Sequence, residues 1–528
     1  MRDFQSNGRS LAHGQNGMAC TSHARATLAA LDILRDGGNA VDAAVAACAV
    51  QCVVEPMSTG IGGDCFAMIA TRDGKVAAYN GSGRAPAALT AAHLLDAGET
   101  SISDTTPHAV TVPGAVEAWA RLVAEHGRLG LDRVLAPAID LALDGYIVFE
   151  RTATDWHEAR AKLALQRETA AIFLPGGRPP AVGEVHRQEA LAGSLRAIAA
   201  EGPRVFYEGW IAEDIIATLR AKGGLHAAAD FAGHRGDWVT PISTSYRGFQ
   251  VLEIPPNGQG ITALIGLDIL EGFDLAGLDP LGVERLHLQA EAMRLAYQDR
   301  NTYVADPTVA AVPVEALLSK DHALTLRTAI DPRRAMANLP VPNLPAHRDT
   351  VYLCVADGDG MAVSFINSLF SGFGSGITAP RSGVVLQNRG SGFVLEPGHP
   401  NCLAPAKRPL HTIIPAMLMQ DGKPRMPFGV MGGDYQPTGH VHLLTNILDH
   451  GMDVQRALDC PRALHWDGVY GLETGVPEAT ARGLSELGHV VERAEAAWGG
   501  GQAIWIDPAS GVLTGGSDPR KDGIALGF

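Results

Sequence analysis

Two apolar runs, residues 350–356 and 361–366, are separated only by Asp357-Gly358-Asp359-Gly360. Asp-Gly pairs supply the backbone conformations that reverse a strand tightly, so this segment predicts a β-hairpin and with it antiparallel sheet. What precedes the hairpin constrains it further. Leu339-Pro340-Val341-Pro342-Asn343-Leu344-Pro345 can neither continue a helix nor sit in a central strand, and reads as an exposed linker. The first strand of the hairpin therefore starts abruptly, at Thr350. Similar turns join 417–420 to 425–428 and 503–507 to 512–514, so the C-terminal third predicts mainly antiparallel sheet, with helices over 440–448 and 478–487.

The N-terminal part has a different rhythm. Thr21 and Ser22 are expected caps for a helix reaching Asp36, with Leu28, Leu31 and Leu34 at helical spacing and Gly37-Gly38 as its stop. An Ala-rich helix follows to about Val53. Its apolar run, 41–54, contains Asp42 and Gln51 and is shorter than the roughly 20 residues that span a bilayer, so it predicts a buried helix and no membrane partner. Gly60-Ile61-Gly62-Gly63 turns into a strand over 66–71, which closes across Asp73-Gly74 into 75–80. Residues 113–298 are expected to be mostly helical, with helices near 115–125, 134–143, 191–201, 211–222 and 286–298.

At 528 residues the chain calls for two lobes or one large interrupted α/β unit. A formal charge of −15 without any Lys/Arg run excludes the basic footprint of nucleic-acid binding. The seven cysteines are odd in number and several lie in apolar runs, as buried thiols of a reducing compartment do. With the polar first ten residues, this predicts a cytoplasmic protein. His440-Val441-His442 lacks accompanying ligands and predicts a helix face, and no Walker or Rossmann glycine spacing occurs. No metal and no cofactor are expected.

The chemistry-bearing segment is His347-Arg348-Asp349-Thr350. Cleavage between Asp349 and Thr350 would give Thr350 a free α-amino group, with a reference pKa of about 7.7–8, beside its own hydroxyl. One residue would then be both base and nucleophile. The intact chain, whose nitrogen there is an amide, would be an inactive precursor of a large segment, 1–349, and a small one, 350–528. A strand-initiating Thr taken alone is ordinary.

The wider pattern resembles the γ-glutamyltransferase family from about residue 17 to the C-terminus. The resemblance is carried by Gly17-Met18-Ala19, Asp32-Ile33-Leu34, Gly37-Gly38-Asn39-Ala40-Val41-Asp42-Ala43-Ala44, Gly62-Gly63, Val112-Pro113-Gly114, Tyr246-Arg247-Gly248 and Glu291-Ala292-Met293. It continues through Phe373-Gly374-Ser375-Gly376-Ile377, Lys407-Arg408-Pro409-Leu410, Gly432-Gly433 and Ser517-Asp518-Pro519-Arg520. It implies an N-terminal-nucleophile hydrolase of αββα four-layer architecture with antiparallel central sheets, self-cleaved before a Thr, whose two fragments stay together. A dimer of such pairs is left open. Counting back from Phe373-Gly374 places the family nucleophile on Thr350. The resemblance further implies Gly432 and Gly433 as oxyanion-hole donors and Ser368 as a hydroxyl bonded to the nucleophile.

Departures from the family carry information too. The position of its carboxylate-binding Arg is Ser82, with Arg84 two residues on. The acidic residue that holds an α-amino group is Gly392, a Gln is Arg389, and a Ser pair is His411-Thr412. The segment 400–405 is short where many members carry a lid. Arg389, Arg84, His411 and Thr412 are therefore the expected substrate-binding residues. Gly cannot pair an ammonium, whereas Arg suits a carboxylate. The expected activity is hydrolysis, by water, of a small carboxylate-bearing amide such as oxamate, as in the oxamate amidohydrolase and glutaryl-acylase branch. The alternatives are a γ-glutamyltransferase or glutathione hydrolase, and a non-catalytic binding or scaffold relative.

Overall fold

A computed structural model describes residues 8–337 and 350–528, so the expected linker and Asp349 lie outside the described residues. Two seven-stranded antiparallel sheets face each other. One runs, in spatial order, Ala12–Gly14, Leu513–Ser517, Gly500–Ile506, Lys423–Met431, Ala416–Gln420, Phe249–Glu253 and Ile242–Tyr246. The other runs Ile524–Gly527, Gly17–Thr21, Val351–Asp357, Ala362–Ser368, Asp64–Ala70, Val76–Gly81 and Asp237–Val239. Both sheets mix strands from before and after residue 350.

The layering follows from strand alternation. Along Val351–Asp357, Tyr352, Cys354 and Ala356 pack between the sheets with Met18, Phe66, Ile366, Met417 and Met431. Leu353 and Val355 face the other way, into helices Ala24–Arg35, Ala40–Val54, Ala115–His126, Leu131–Asp144 and Glu189–Glu201. The second helical layer, Gly260–Leu270, Val283–Tyr303 and Gln436–Leu448, covers the outer face of the first sheet through Val251, Leu418, Phe428 and Val430. The result is the expected αββα sandwich. Helix Ala40–Val54 is buried at every residue and is opened by Asn39 and Asp42, which cap each other's backbone N–H groups.

Several expectations need correction. The cap of the first helix is His23, whose ring accepts from Arg25 N–H, because Thr21 is committed to a strand and Ser22 Oγ donates to Glu55. The middle of the chain is less helical than its periodicity suggests: Asp237–Val239, Ile242–Tyr246 and Phe249–Glu253 are strands, the last two reversing at Arg247-Gly248. All seven cysteines are free, and all but Cys402 are buried. Among the described residues no helix is long and apolar enough to cross a membrane. His440 bonds Glu253 while His442 bonds Arg285, as expected of i, i+2 residues that do not share a helix face.

Candidate active site

The pairing of Val351 with Asn367 carries the ladder one step further, setting Thr350 opposite Ser368. Both side chains have the parity of Tyr352 and Ile366 and point into the seam between the sheets. Thr350 Oγ1 lies 3.1 Å from Ser368 Oγ, and both residues are buried. Ser368 Oγ also accepts from Phe370 N–H at 2.8 Å and from Arg389 Nη2 at 3.3 Å. With both lone pairs of Ser368 occupied, its own proton is directed at Thr350 Oγ1. The Thr350 proton is thereby left for another acceptor, which is what a nucleophile facing a base requires.

The turn after Ser368 is held under strain. Phe370 has φ 84°, a left-handed conformation that a bulky side chain adopts at a cost of about 1–3 kcal/mol. Its ring lies 4.0 Å beneath the Arg389 guanidinium. On the other side, Gly63 passes so close that a Cβ there would stand 2.2 Å from the Ser368 carbonyl oxygen. Glycine at that point lets Asp64 open its strand directly beneath the site.

Arg389 is completely buried. Its Nη1 donates to Thr412 Oγ1 at 2.6 Å and its Nη2 to Ser368, while its Nε finds no partner among the described residues. Among the described residues it bonds no carboxylate. Burial lowers the guanidinium to about 9, against the nearby charges of Asp64 and Asp434, so it stays cationic at neutral pH. Arg285 is likewise buried and bonds no carboxylate among the described residues, but three neutral acceptors, His442, Thr445 and Asn446, surround it.

Asp64 is the countercharge that sequence reasoning missed. Its Oδ1 accepts from Gly83 N–H, Gly114 N–H and Gln387 Nε2, and its Oδ2 from His411 Nε2 at 3.1 Å. Burial alone would raise its pKa, and the hydrogen bonds from His411 and Gln387, with Arg389 close by, overcome this and hold it below the usual value. His411 is driven down to about 3, first by burial and then by Arg389. The contact is therefore a neutral imidazole N–H donating to a carboxylate, with Nδ1 facing Ile413 N–H. The signal for Asp64 was present, as an acid following Gly62-Gly63 at a strand start.

Strand Lys423–Met431 ends at Gly432, whose φ of 124° admits only glycine, and Gly433 leads into helix Gln436–Leu448. Among the described residues neither glycine N–H finds an acceptor. The turn is tied to the surroundings of Thr350 through Gln259, whose Nε2 donates to the carbonyls of Thr412 and Gly433 at 2.8 and 3.0 Å. Arg300, buried, fixes Gln259 Oε1 and Asp434 Oδ1 at once. Gln259, Arg300 and Asp434 also went unnoticed in the sequence. A cleft of about 250 Å³ opens beside Gly432, walled by Tyr435, Trp466 and Trp498.

The structure thus joins Thr350, Ser368, Arg389, Thr412, Gln259 and Gly433 in one network, with His411 attached through its carbonyl, which accepts from Gln259 N–H at 2.9 Å, and with Asp64 bonded in turn to the His411 ring. Arg84 stands outside it. Its side chain, 32% exposed, pairs with Asp306 and the Ala406 carbonyl instead.

The γ-glutamyltranspeptidase family model matches residues 26–528. The chain belongs to the γ-glutamyltranspeptidase family. It is 39% identical to the glutathione hydrolase-like YwrD proenzyme of Bacillus subtilis over 98% of this chain and 99% of that one. It is 35% identical to the oxamate amidohydrolase proenzyme of Klebsiella pneumoniae, covering 97% and 98%. The crystal structure of a cephalosporin acylase from Bacillus halodurans superposes with a TM-score of 0.94 at 43% identity, covering 100% of this chain and 99% of that one.

Proposed function

We propose that this family member is an autoprocessing amidohydrolase that cleaves itself between Asp349 and Thr350 and then hydrolyses a small carboxylate-bearing amide through an acyl-enzyme on Thr350. Residues 1–349 and 350–528 are its two segments. In this reading the new α-amine takes the Thr350 hydroxyl proton while Ser368 steadies the oxygen. Thr350 Oγ1 attacks the amide carbonyl, and the N–H groups of Gly432 and Gly433 receive the oxyanion, each contributing about 2.7–4 kcal/mol. The amine leaves with the proton, and water releases the acid.

The observation that carries the substrate class is Arg389: a buried cation with an unused N–H, bonded only to neutral hydroxyls on described residues, one of which touches the nucleophile. A substrate carboxylate supplies what it lacks. The guanidinium is at most two hydrogen-bond lengths from Thr350 Oγ1. A carboxylate attached directly to the attacked carbonyl fills that span, whereas a glutaryl chain must fold back to use it. Gly392 offers nothing to an ammonium, and Arg389 repels one.

Likeness to a glutathione hydrolase-like protein favours a second reading, a γ-glutamyl donor. Rates on oxamate, glutaryl amides and γ-glutamyl amides separate the two. Efficient γ-glutamyl turnover with none on oxamate would overturn the carboxylate argument. On a denaturing gel, wild type should give two pieces and Thr350→Ala only the 55.4 kDa chain. A wild type that stays whole would instead favour a binding protein.

A further inference from the structure

Helix Val283–Tyr303 carries His287 and Glu291 one turn apart, and the loop after helix Glu478–Glu486 brings His489 against them. One ligand atom from each lies within 4.8 Å of the others, and all three residues are buried. The two imidazoles are hydrogen-bonded at 2.8 Å, His489 Nε2–H donating to His287 Nδ1, and it is this shared proton that a bound ion would replace.

The surroundings orient these groups as donors. His287 Nε2–H donates to the Asp331 carbonyl at 2.9 Å, which fixes the tautomer and turns the Nδ1 lone pair inward. A backbone carbonyl on the outer ring nitrogen is the usual support of a metal-bound histidine. Glu291 Oε2 is aimed by Met336 N–H at 2.7 Å. His489 Nδ1 is buried without a partner among the described residues. Two buried imidazoles and a buried carboxylate, converging from two segments, exceed what packing alone needs.

We propose that His287, Glu291 and His489 form a binding site for a divalent transition ion of the Zn²⁺ type, separate from the site around Thr350. Two nitrogens and one carboxylate oxygen suit Zn²⁺ and leave its fourth position to solvent. Arg294, which bonds Glu291 Oε1 at 2.7 Å, swings towards solvent when the ion takes that oxygen. Arg300 lies nine residues along the same helix, roughly 14 Å from Glu291, so the ion acts on architecture and not on the reacting atoms. Asp331 and Met336, the anchors of its outer shell, belong to the last stretch described before the segment leading to Thr350. The ion therefore clamps the end of the large segment against the small one, whether or not the chain is cut.

The test uses the full-length chain without a polyhistidine tag, stripped with EDTA, then loaded separately with Zn²⁺ and Co²⁺ and desalted. One equivalent of Zn²⁺ should be retained, and Co²⁺ should give the visible bands of a low-symmetry nitrogen–oxygen site. Glu291→Gln and His489→Ala should weaken retention more than about tenfold, the least that even an outer-shell partner is worth. Wild type retaining no more Zn²⁺ than His489→Ala, or showing no such bands with Co²⁺, would overturn the proposal. The wild-type Co²⁺ spectrum decides the matter even if the variants fold poorly.

Discussion

Replacing Arg389 by Met should stabilise the protein and disable it together. Burial brings the guanidinium down to about 9, a depression worth roughly 5 kcal/mol against the charged form at neutral pH. Met removes that cost and keeps most of the volume over Phe370. Against the gain stand two hydrogen bonds, to Thr412 and Ser368, at about 1 kcal/mol each, and the contact with the Phe370 ring, worth about 1 kcal/mol. A net stabilisation of roughly 2 kcal/mol remains, readable as a higher urea midpoint at unchanged slope. In catalysis the sign reverses. An unanswered substrate carboxylate costs about 3–5 kcal/mol, so kcat/KM on a carboxylate-bearing amide should fall by roughly 10²–10³ or more. A matched amide without the carboxylate should lose far less. Equal losses on both substrates, or a variant less stable than wild type, would refute the idea that Arg389 waits for an anion.

Three further outcomes follow from the same geometry. Asp64→Asn turns an acceptor towards His411 Nε2–H into a donor and strips Arg389 of its nearer countercharge, so it should destabilise the chain by roughly 3–5 kcal/mol; a urea midpoint like that of wild type would contradict this. For the mature enzyme, kcat/KM on a carboxylate amide should rise as the Thr350 amine deprotonates near pH 7.7–8 and fall as Arg389 loses its charge at about 9, whereas a plateau to about pH 10.5 would exclude Arg389 as anchor. Finally, burial lowers His23, His186, His226 and His234 from 6.5 to about 4. Their folded pKa lies below the unfolded one, so the stability they contribute is complete above pH 6.5 and is lost as pH falls through about 4. Each is worth roughly 3 kcal/mol, and a thermal midpoint flat across that interval would show the rings to be solvated.

What the sequence disclosed depended on how local the determining physics is. The hairpin at Val351–Asp357 and Ala362–Ser368 was legible because Asp-Gly turn chemistry and alternation agree within a few residues. From it the facing of Thr350 and Ser368 follows by parity alone. Strand Gly17–Thr21 was not legible: its residues carry no β-branched run, and it is a strand because two neighbours pair with it. The hairpin over Ile242–Tyr246 and Phe249–Glu253 was hidden by Arg at φ 49° in its turn, where Asn or Gly would have announced it. Arg84 was grouped with Arg389 because chain position gives no direction, and Asp306 drew it elsewhere. Asp64 reaches Gln387 and His411, Gln259 reaches Thr412 and Gly433, and Arg300 reaches Asp434, each across more than 130 residues, so no window of sequence contains both partners of these bonds.

The interleaving of strands on either side of residue 350 has a consequence for what a cut there can release. Strand Val351–Asp357 is hydrogen-bonded on one edge to Gly17–Thr21, and its hairpin partner Ala362–Ser368 is bonded in turn to Asp64–Ala70. The other sheet is flanked in the same way by Ala12–Gly14 and Phe249–Glu253. A break before Thr350 frees one amine without freeing a subunit. Fragments formed by such a break share strand pairs in both sheets, so exchanging either for a fresh copy requires unravelling both. Damage to either segment therefore retires the whole molecule.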